Sequence, residues 1–235
     1  MHFERRSHWS GELGREMHFN VYGHAGKPVI VFPSSGGNQN EYGNFGMIEA
    51  CRAFIDRGLI KFYTPDSYDS ESWLALHKSG HDMALAHNAY DRYIVHELVP
   101  LIRHESNWNG TMIATGCSMG AFHSVNFALR HPDLFDTTIA LSGVYDARFF
   151  TGEFYGDPTV YFNSPIDSLW GQNDDWFLNR YRQIILLLRS DRVLGKISTW
   201  KIPAVYKKRL MRKGFKRGLI IGGMMWNTIG RHGVK

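Results

Sequence analysis

The serine at position 118 is the side chain whose surroundings most suggest chemistry. It lies in the stretch GCSMG at residues 116–120, between the β-branched run TMIAT and the sequence AFHSVNFALR, which has the apolar spacing of a helix. A serine on a sharp strand-to-helix turn, with small residues two positions before and after it, is the pattern of a nucleophile elbow. The pattern predicts Ser118 as a nucleophile. The structural alternative is a small-residue helix entrance packed closely against a sheet.

Two backbone segments are placed to stabilise negative charge developing on a substrate oxygen. The N–H of Met119 opens the predicted helix, at the positive end of the helix dipole. The second donor of such a site comes from the loop after an earlier strand, where the stretch FPSSGG places Ser35 or Gly36. We therefore expect these residues to form an oxyanion hole, and we expect no metal site and no cofactor.

Apolar strands alternate with helical patterns along the chain. This alternation predicts an α/β protein with a mostly parallel central sheet and helices on both faces, preceded by an antiparallel hairpin around SGELG. Residues 144–183 are irregular, aromatic and typical of a lid or pocket wall. The predicted buried strands are VIVFP, LIKFYTPD, TMIATG, DTTIALSG and IILLL, and the predicted helices are FGMIEACRAFIDRG, GHDMALAHNAYDRYIVHELVPLIRHE and the helix after Ser118.

The composition suits one globular domain. Of the 235 residues, 43% are hydrophobic and 14% aromatic, which is enough for one sizeable core. The two cysteines, Cys51 and Cys117, suggest no disulfide framework. The first residues lack the apolar stretch of a signal peptide, and no apolar run is long enough to span a bilayer. The sequence therefore predicts a soluble, cytoplasmic protein.

The positive net charge of +5 is confined to the C-terminal part of the chain. Residues 187–235 hold thirteen Lys and Arg against one acid, a balance of +12, whereas residues 1–186 hold fourteen basic and twenty-one acidic residues, a balance of −7. The sequence KKRLMRKGFKR could bind a polyanion or an anionic membrane surface, but it lacks a nucleic-acid fold motif and regular amphipathic spacing. Nucleic acid is therefore not the expected partner.

Several separate motifs, in order, resemble one protein family. They are LGREMHFNVYGHAGKPVIVFPSSGGNQNEYGNFGMI, DSYDSESW, GCSMGAFHS, HPDLFDTTIALSGVYD, NSPIDSL and NDDWFLNRYR. Over most of residues 1–186 they are similar to the esterase family of α/β-hydrolases, which is related to esterase D and the antigen 85 acyltransferases. The resemblance implies the α/β-hydrolase fold and a triad in the chain order Ser, acid, His. It implies a small-molecule ester as substrate without fixing which one.

The histidine of that triad has no clear candidate in this chain. After Ser118 only His123, His131 and His232 remain. The first two lie on or at the end of the helix that follows the serine, which favours surface or structural roles. His232 has nothing visible to orient it. The acids Asp146, Asp167, Asp174 and Asp175 are expected to act as loop caps and turn formers, and no spacing selects one as the triad acid.

The codons of the tail suggest why the histidine is missing. The sequence Met224-Met225-Trp226-Asn227 must be encoded as ATG ATG TGG AAY, and reading one base earlier gives D-V-E, followed by a permitted H-D-W-P, which is similar to the family's histidine motif. The same displacement over residues 190–196 permits GQGAWE, similar to its acid-bearing stretch. We therefore infer a frameshift near residues 186–189, in the gene or in its sequencing. Residues 1–186 would then form the hydrolase core, and 187–235 a basic, poorly packed tail.

The sequence thus predicts a serine carboxylic-ester hydrolase that forms an acyl-enzyme on Ser118 and is impaired in this chain because its base is out of frame. The alternative is a non-catalytic protein of hydrolase fold that binds polyanions through its tail. The oligomeric state is left open.

Overall fold

A computed structural model describes residues 1–153 and 156–189 and the backbone of residues 220–221 and 224–225. The described strands form one nine-stranded sheet in the order β1-β2-β4-β3-β5-β6-β7-β8-β9. The strands are β1 (Phe3–Ser10), β2 (Arg15–Tyr22), β3 (Lys27–Phe32), β4 (Ile60–Pro65), β5 (Met112–Cys117), β6 (Phe135–Leu141), β7 (Ile185–Arg189), β8 (Ile220–Ile221) and β9 (Met224–Met225).

The sheet is mostly parallel, as predicted. Five neighbouring pairs, from β4–β3 through to β7–β8, run parallel. The predicted hairpin of β1 and β2 is confirmed, and it joins the sheet through antiparallel pairing of β2 with β4. The short β9 pairs antiparallel with β8 at the other edge. The crossover order around β3 brings the carboxyl ends of β3 and β5 side by side.

Helices connect the strands. The longest are α4, which continues through a π-helical turn into α5, and α6, which follows β5 directly. The π-helical turn lies just before Pro100, whose nitrogen cannot donate to the carbonyl four residues back. The helices are α1 (Glu41–Asn44), α2 (Met47–Ala50), α3 (Arg52–Asp56), α4 (Gly80–Arg92), the π-helical turn (Tyr93–Leu98), α5 (Val99–Ser106), α6 (Met119–Arg130), α7 (Arg148–Thr151), α8 (Pro158–Phe162), α9 (Pro165–Gly171) and α10 (Asp175–Tyr181).

Both faces of the sheet are covered, as strand β3 makes clear. Its side chains alternate: Ile30 and Phe32 pack in one core with residues of α4, α5 and α6, whereas Val29 and Val31 pack in another with residues of α2 and α3. A strand with apolar side chains on both faces is buried on both sides, which explains the continuous apolar run in the sequence. The prediction of helices on both faces is confirmed.

Two segments differ from the sequence-based expectation. Residues 45–58 form the two short helices α2 and α3 rather than one, after Gly46 at a positive φ of 75° and with a break at Cys51. The insertion expected to be irregular contains the short helices α7 to α10 between its turns. Within the described ranges, every helix is too short or too polar to cross a bilayer.

Candidate active site

Ser118 occupies a strained turn between β5 and α6. Its backbone angles are φ 55° and ψ −113°, a conformation that costs a residue other than glycine of order 1–3 kcal/mol. The turn is fixed on both sides: Ser118 N donates to Leu141 O of β6 at 2.9 Å, and Ser118 O accepts from the N–H groups of Ala121 and Phe122 in α6. The serine itself is exposed. The strand–turn–helix context predicted for it is therefore present.

The two flanking glycines are required by close packing. A Cβ at Gly116 would lie 2.5 Å from the carbonyl carbon of Gly120. A Cβ at Gly120 would lie 2.1 Å from Phe32 O and 2.7 Å from Pro33 O at the end of β3. Since these neighbours are backbone atoms, they cannot rotate away. The absence of side chains here lets α6 start directly above the loop that follows β3.

That loop carries the other predicted oxyanion donors, Ser35 and Gly36. Gly37 N donates to Ser34 O at 2.8 Å, which closes a four-residue turn with Gly36 at a positive φ of 71°. Ser35 lines the same cleft as Ser118 and Met119. Within the described part of the chain, the backbone N–H groups of Ser35, Gly36 and Met119 have no acceptor. They are thus available to a ligand.

A carboxylate that the sequence analysis did not single out fastens this turn. Glu41, the first residue of α1, accepts from Ser34 N at 3.1 and 3.2 Å through its two oxygens, and from Ser34 Oγ at 3.0 Å. It lies against Gly37, where an added Cβ would be 1.6 Å from Glu41 Oε2. No short local pattern signals this contact, because a glutamate at the start of a helix is common.

Ser118 opens into an apolar cleft of about 280 Å³. Trp73 and Met119 are buried in it, whereas Leu76 and Phe149 are 83% and 59% exposed. The polar members among the described lining residues are all serines, and none carries a charge. The lining residues are Ser35, Trp73, Leu74, Leu76, Ser118, Met119, Ser142, Val144, Phe149 and Phe150. The insertion thus supplies part of the cleft wall through Val144, Phe149 and Phe150, as predicted.

None of the described residues that line the cleft is a histidine. His123, in α6, is 1% exposed, and its Nε2 lies 2.8 Å from Oδ1 of the equally buried Asp69. His131, just after α6, pairs with Asp91 at 2.9 Å. Both therefore have the structural role expected for them, although His123 is in the core and not at the surface. His232 and the displaced-frame motifs lie outside the described residues.

The four acids considered from the sequence act locally. Asp146 accepts from Arg148 N at 3.0 Å, and Asp174 caps α10 by accepting from Trp176 N at 2.7 Å. Asp167 accepts from Ser164 Oγ at 2.6 Å, and Asp175 opens α10. Asp146 and Asp174 thus form the expected turn and cap, whereas Asp167 and Asp175 lie in the first turns of α9 and α10.

A layer of buried polar side chains lies behind the cleft. The rings of His87 and His123 stack with centroids 5.2 Å apart. The ring centroid of Trp73, on the cleft wall, lies 5.0 Å from that of His87. Asn126 Nδ2 donates to His87 Nε2 at 3.1 Å. Burial lowers the pKa of His87 well below its ordinary value, and the charges of His123 and Arg130 act in the same direction. His87 is therefore neutral in the folded protein.

No group of three or more His, Cys, Asp or Glu side chains in the described ranges is arranged to hold a metal ion. The described lining of the cleft offers hydroxyls, backbone N–H groups and apolar walls. Such an arrangement can bind a neutral carbonyl compound and place a serine hydroxyl against it.

Comparison with known proteins decides the family. Residues 10–194 match the model of the family described as Putative esterase. The chain belongs to this esterase family. The resemblance drawn from the motifs is thereby confirmed. Membership of this family identifies the chain as an esterase. No curated protein matches the sequence.

Solved structures similar to this esterase have the α/β-hydrolase fold. A ferulic acid esterase superposes with a TM-score of 0.70 at 13% identity, over 94% of this chain and 90% of that chain. The S-formylglutathione hydrolase FrmB of Staphylococcus aureus gives 0.63 at 17% identity, over 94% and 91%. The fluorophosphonate-binding serine hydrolase F of the same organism gives 0.64 at 16%, over 94% and 90%. The predicted fold is thus confirmed.

Proposed function

We propose that this esterase hydrolyses carboxylic esters through an acyl-enzyme on Ser118. The observation that carries the proposal is the strained turn that exposes Ser118 in a cleft beside Ser35 and Met119. A non-glycine residue at positive φ persists only when its surroundings hold it there, and such strain clusters at active sites. The packing of Gly116 and Gly120 supplies that constraint.

The chemistry follows from these groups. Ser118 Oγ attacks the carbonyl carbon of the ester while its proton passes to a base, and the carbonyl oxygen becomes an oxyanion. The N–H of Met119 and that of Ser35 or Gly36 would donate to this oxyanion. Collapse expels the alcohol, which takes a proton, and leaves the acyl group on Ser118. Water then hydrolyses the acyl-enzyme and returns the proton to the serine.

The group that would accept the proton of Ser118 has no candidate among the described residues of the cleft. Among the described lining residues no side chain can serve as a base near neutral pH. We attribute this to the frameshift, which would move the family's histidine and acid motifs out of the reading frame. The oxyanion donors alone would still give a residual acceleration of about 10³ to 10⁴ over water. On this proposal the protein is an impaired esterase, and in-frame His232 is the first alternative base to test.

The cleft walls favour a neutral, apolar acyl or alcohol group. Each described residue that lines the cleft is uncharged, and most are apolar or aromatic. A charged substituent would lose its hydration here without finding a counter-charge. The ester proposed as substrate is therefore uncharged around its reacting carbonyl.

A fluorophosphonate probe tests the nucleophile directly. The Ser118 oxygen displaces fluoride from phosphorus, the hydroxyl proton is lost to solvent, and the phosphoryl oxygen takes the place of the oxyanion. We expect slow, stoichiometric labelling of the 235-residue protein, located at Ser118 by peptide mass spectrometry and abolished by Ser118→Ala. Ser142→Ala, which removes another serine of the cleft, is the matched control and should leave labelling intact.

The opposite outcome would favour the non-catalytic alternative. If a folded protein is not labelled, yet binds nucleic acid with a steep salt dependence that disappears when residues 187–235 are deleted, its function is polyanion binding. The net charge of +12 on residues 187–235 is the reason to test polyanion binding.

A further inference from the structure

We infer that Glu41 is a positioning residue for the oxyanion-binding turn. The inference rests on the proposed function, because it assumes that Ser35 or Gly36 donates to the reacting oxygen. Glu41 does not line the cleft among the described residues. It would act through Ser34, the residue that leads into the turn, and so set where the next two N–H groups point.

The contacts of Glu41 are concentrated on this turn. Both carboxylate oxygens accept from Ser34 N, and Oε2 also accepts from Ser34 Oγ. Hydrogen bonds to an ionised acceptor are roughly twice as strong as those between neutral groups. The turn has one backbone hydrogen bond of its own, Gly37 N to Ser34 O at 2.8 Å. The carboxylate therefore supplies a large share of the bonds that hold Ser34.

The charge of Glu41 makes this role testable. No Lys, Arg or His of the described chain lies within ion-pair distance of its carboxylate. An uncompensated negative charge near an oxyanion site opposes the build-up of charge on the substrate. If Glu41 were merely a neighbour of the site, its removal should speed the reaction of Ser118. If it positions the donors, its removal should slow it, because a misplacement of about 1 Å can cost 10²-fold in rate.

Gly37 provides an independent way to disturb the same contact. A Cβ at this position would meet Glu41 Oε2 at 1.6 Å and Glu41 Cδ at 2.8 Å, so alanine must displace the carboxylate; the next neighbour, Pro33 Cβ, would lie at 3.1 Å and need move only slightly. The backbone of Gly37 is outside the positive-φ region, so alanine adds no backbone strain. Gly37→Ala should therefore imitate the removal of Glu41.

The experiment measures phosphonylation of Ser118 by the fluorophosphonate probe, separating the maximal rate from the half-saturating probe concentration. We expect Glu41→Ala to lower the maximal rate by about 10- to 100-fold with little change in half-saturation. Glu41→Gln retains one acceptor for Ser34 N and should recover most of the loss. Glu49→Ala removes an exposed glutamate of α2 that pairs with Arg52 and should behave as the parent.

A double-variant comparison separates positioning from general damage. Gly37→Ala should slow labelling in the parent and much less in the Glu41→Ala background, because there the carboxylate is already absent and only the 3.1 Å approach to Pro33 Cβ remains. Additive effects of the two variants would overturn the inference, as would unchanged or faster labelling of Glu41→Ala. If the parent protein is not labelled at all, the proposed nucleophile fails before Glu41 is tested. Melting temperatures of all variants check that each is folded.

Discussion

At the scale of single residues, the site depends on two glycines, whose lack of a side chain allows close packing. Gly116 and Gly120 let three backbone segments meet, the end of β3, the end of β5 and the start of α6. The serine between them takes a conformation that an isolated peptide would avoid. The packing of its neighbours therefore holds Ser118, the proposed nucleophile, in this exposed position.

Gly120→Ala tests this packing. The new methyl group would lie 2.1 Å from Phe32 O, so β3 and α6 must separate, and we expect a loss of about 3 kcal/mol in the free energy of unfolding. Urea denaturation measures the loss. In Gly11→Ala, the methyl group meets its nearest neighbour, Glu97 Oε1, at 3.5 Å, which is ordinary contact. A Gly120→Ala protein as stable as Gly11→Ala would contradict the close approach of α6 to the end of β3.

The burial of His87 predicts how the stability of the core changes with pH. Burial lowers its folded pKa, so between its ordinary pKa of about 6.5 and the folded value only the unfolded chain binds the proton. Stability from this residue is complete above pH 6.5 and falls by up to about 1.4 kcal/mol per unit as pH decreases below it.

The measurement is urea unfolding between pH 7.5 and 5.5. His87→Gln removes the titrating group, and its stability should fall less steeply over this range than that of the parent. His77→Gln, at an exposed position, should retain the parental slope. Equal slopes for the parent and His87→Gln would show that His87 does not stay neutral in the folded state.

At the scale of elements, the cleft combines one end of the sheet with a wall from outside it. Ser35 and Ser118 follow β3 and β5, whereas Phe149 and Phe150 come from α7 and Trp73 from the turn before α4. The wall is therefore built from segments that the sheet does not itself position. On the proposed function, the apolar character of this wall would decide which esters can approach Ser118.

A matched pair of esters tests the wall. 4-Nitrophenyl butyrate and the 4-nitrophenyl monoester of succinic acid have acyl groups of the same chain length, but the second carries a carboxylate. We expect the butyrate to be hydrolysed at least 10-fold faster, because the carboxylate is desolvated without a cation to receive it. Ser118→Ala defines the background for both esters. A preference for the charged ester would mean that a cation reaches the cleft.

The elements themselves could largely be predicted from the sequence. The buried strands and the elbow are local patterns, since each strand is a short continuous apolar run, and the small residues and helix spacing of the elbow are adjacent to Ser118 in the chain. The helices of the insertion were missed although their caps are readable: Asp157 precedes Pro158, Ser164 precedes Pro165, and Asp174 caps α10.

The parts of the site that could not be predicted depend on contacts between distant residues. Asp69 and His123 are 54 positions apart and meet only because α6 packs beside the turn that carries Trp73. The contact of Glu41 with Ser34 spans seven positions and requires the turn closed by Gly37. Neither contact leaves a periodic signal in the chain.

At the scale of the whole molecule, the two parts of the chain have opposite charge. Residues 1–186 carry a balance of −7 and residues 187–235 one of +12. The first part contains the described cleft and the strained serine. The second contains the segment where we propose that the reading frame is displaced. On the proposed function, the cleft and its serine belong to the acidic part, and the base would be encoded in the basic part.

Restoring the displaced frame tests that proposal. We expect the restored chain to hydrolyse an activated ester faster by orders of magnitude than the 235-residue protein, because a histidine and an acid return to serve Ser118. Ser118→Ala in the restored chain should abolish the gain. Sequencing of the DNA between the codons of Gln183 and Lys196 is the direct check. An intact frame there, with ordinary activity of the present chain lost in Ser118→Ala, would require the frameshift to be abandoned.

The backbone strain at Ser118 also indicates when the proposed frameshift would have occurred. Glycine adopts positive φ freely, so in a lineage that no longer needs the hydroxyl, Ser118→Gly would stabilise the fold and selection would not oppose it. A gene that had lost its frame long ago should have lost this serine, or the glycines packed around it. On the frameshift proposal, their joint presence would place the displacement late in the history of the gene, or in its sequencing. Counting substitutions at these three codons in sister strains would date it, and an excess of replacements in strains with the displaced frame would argue for an old loss.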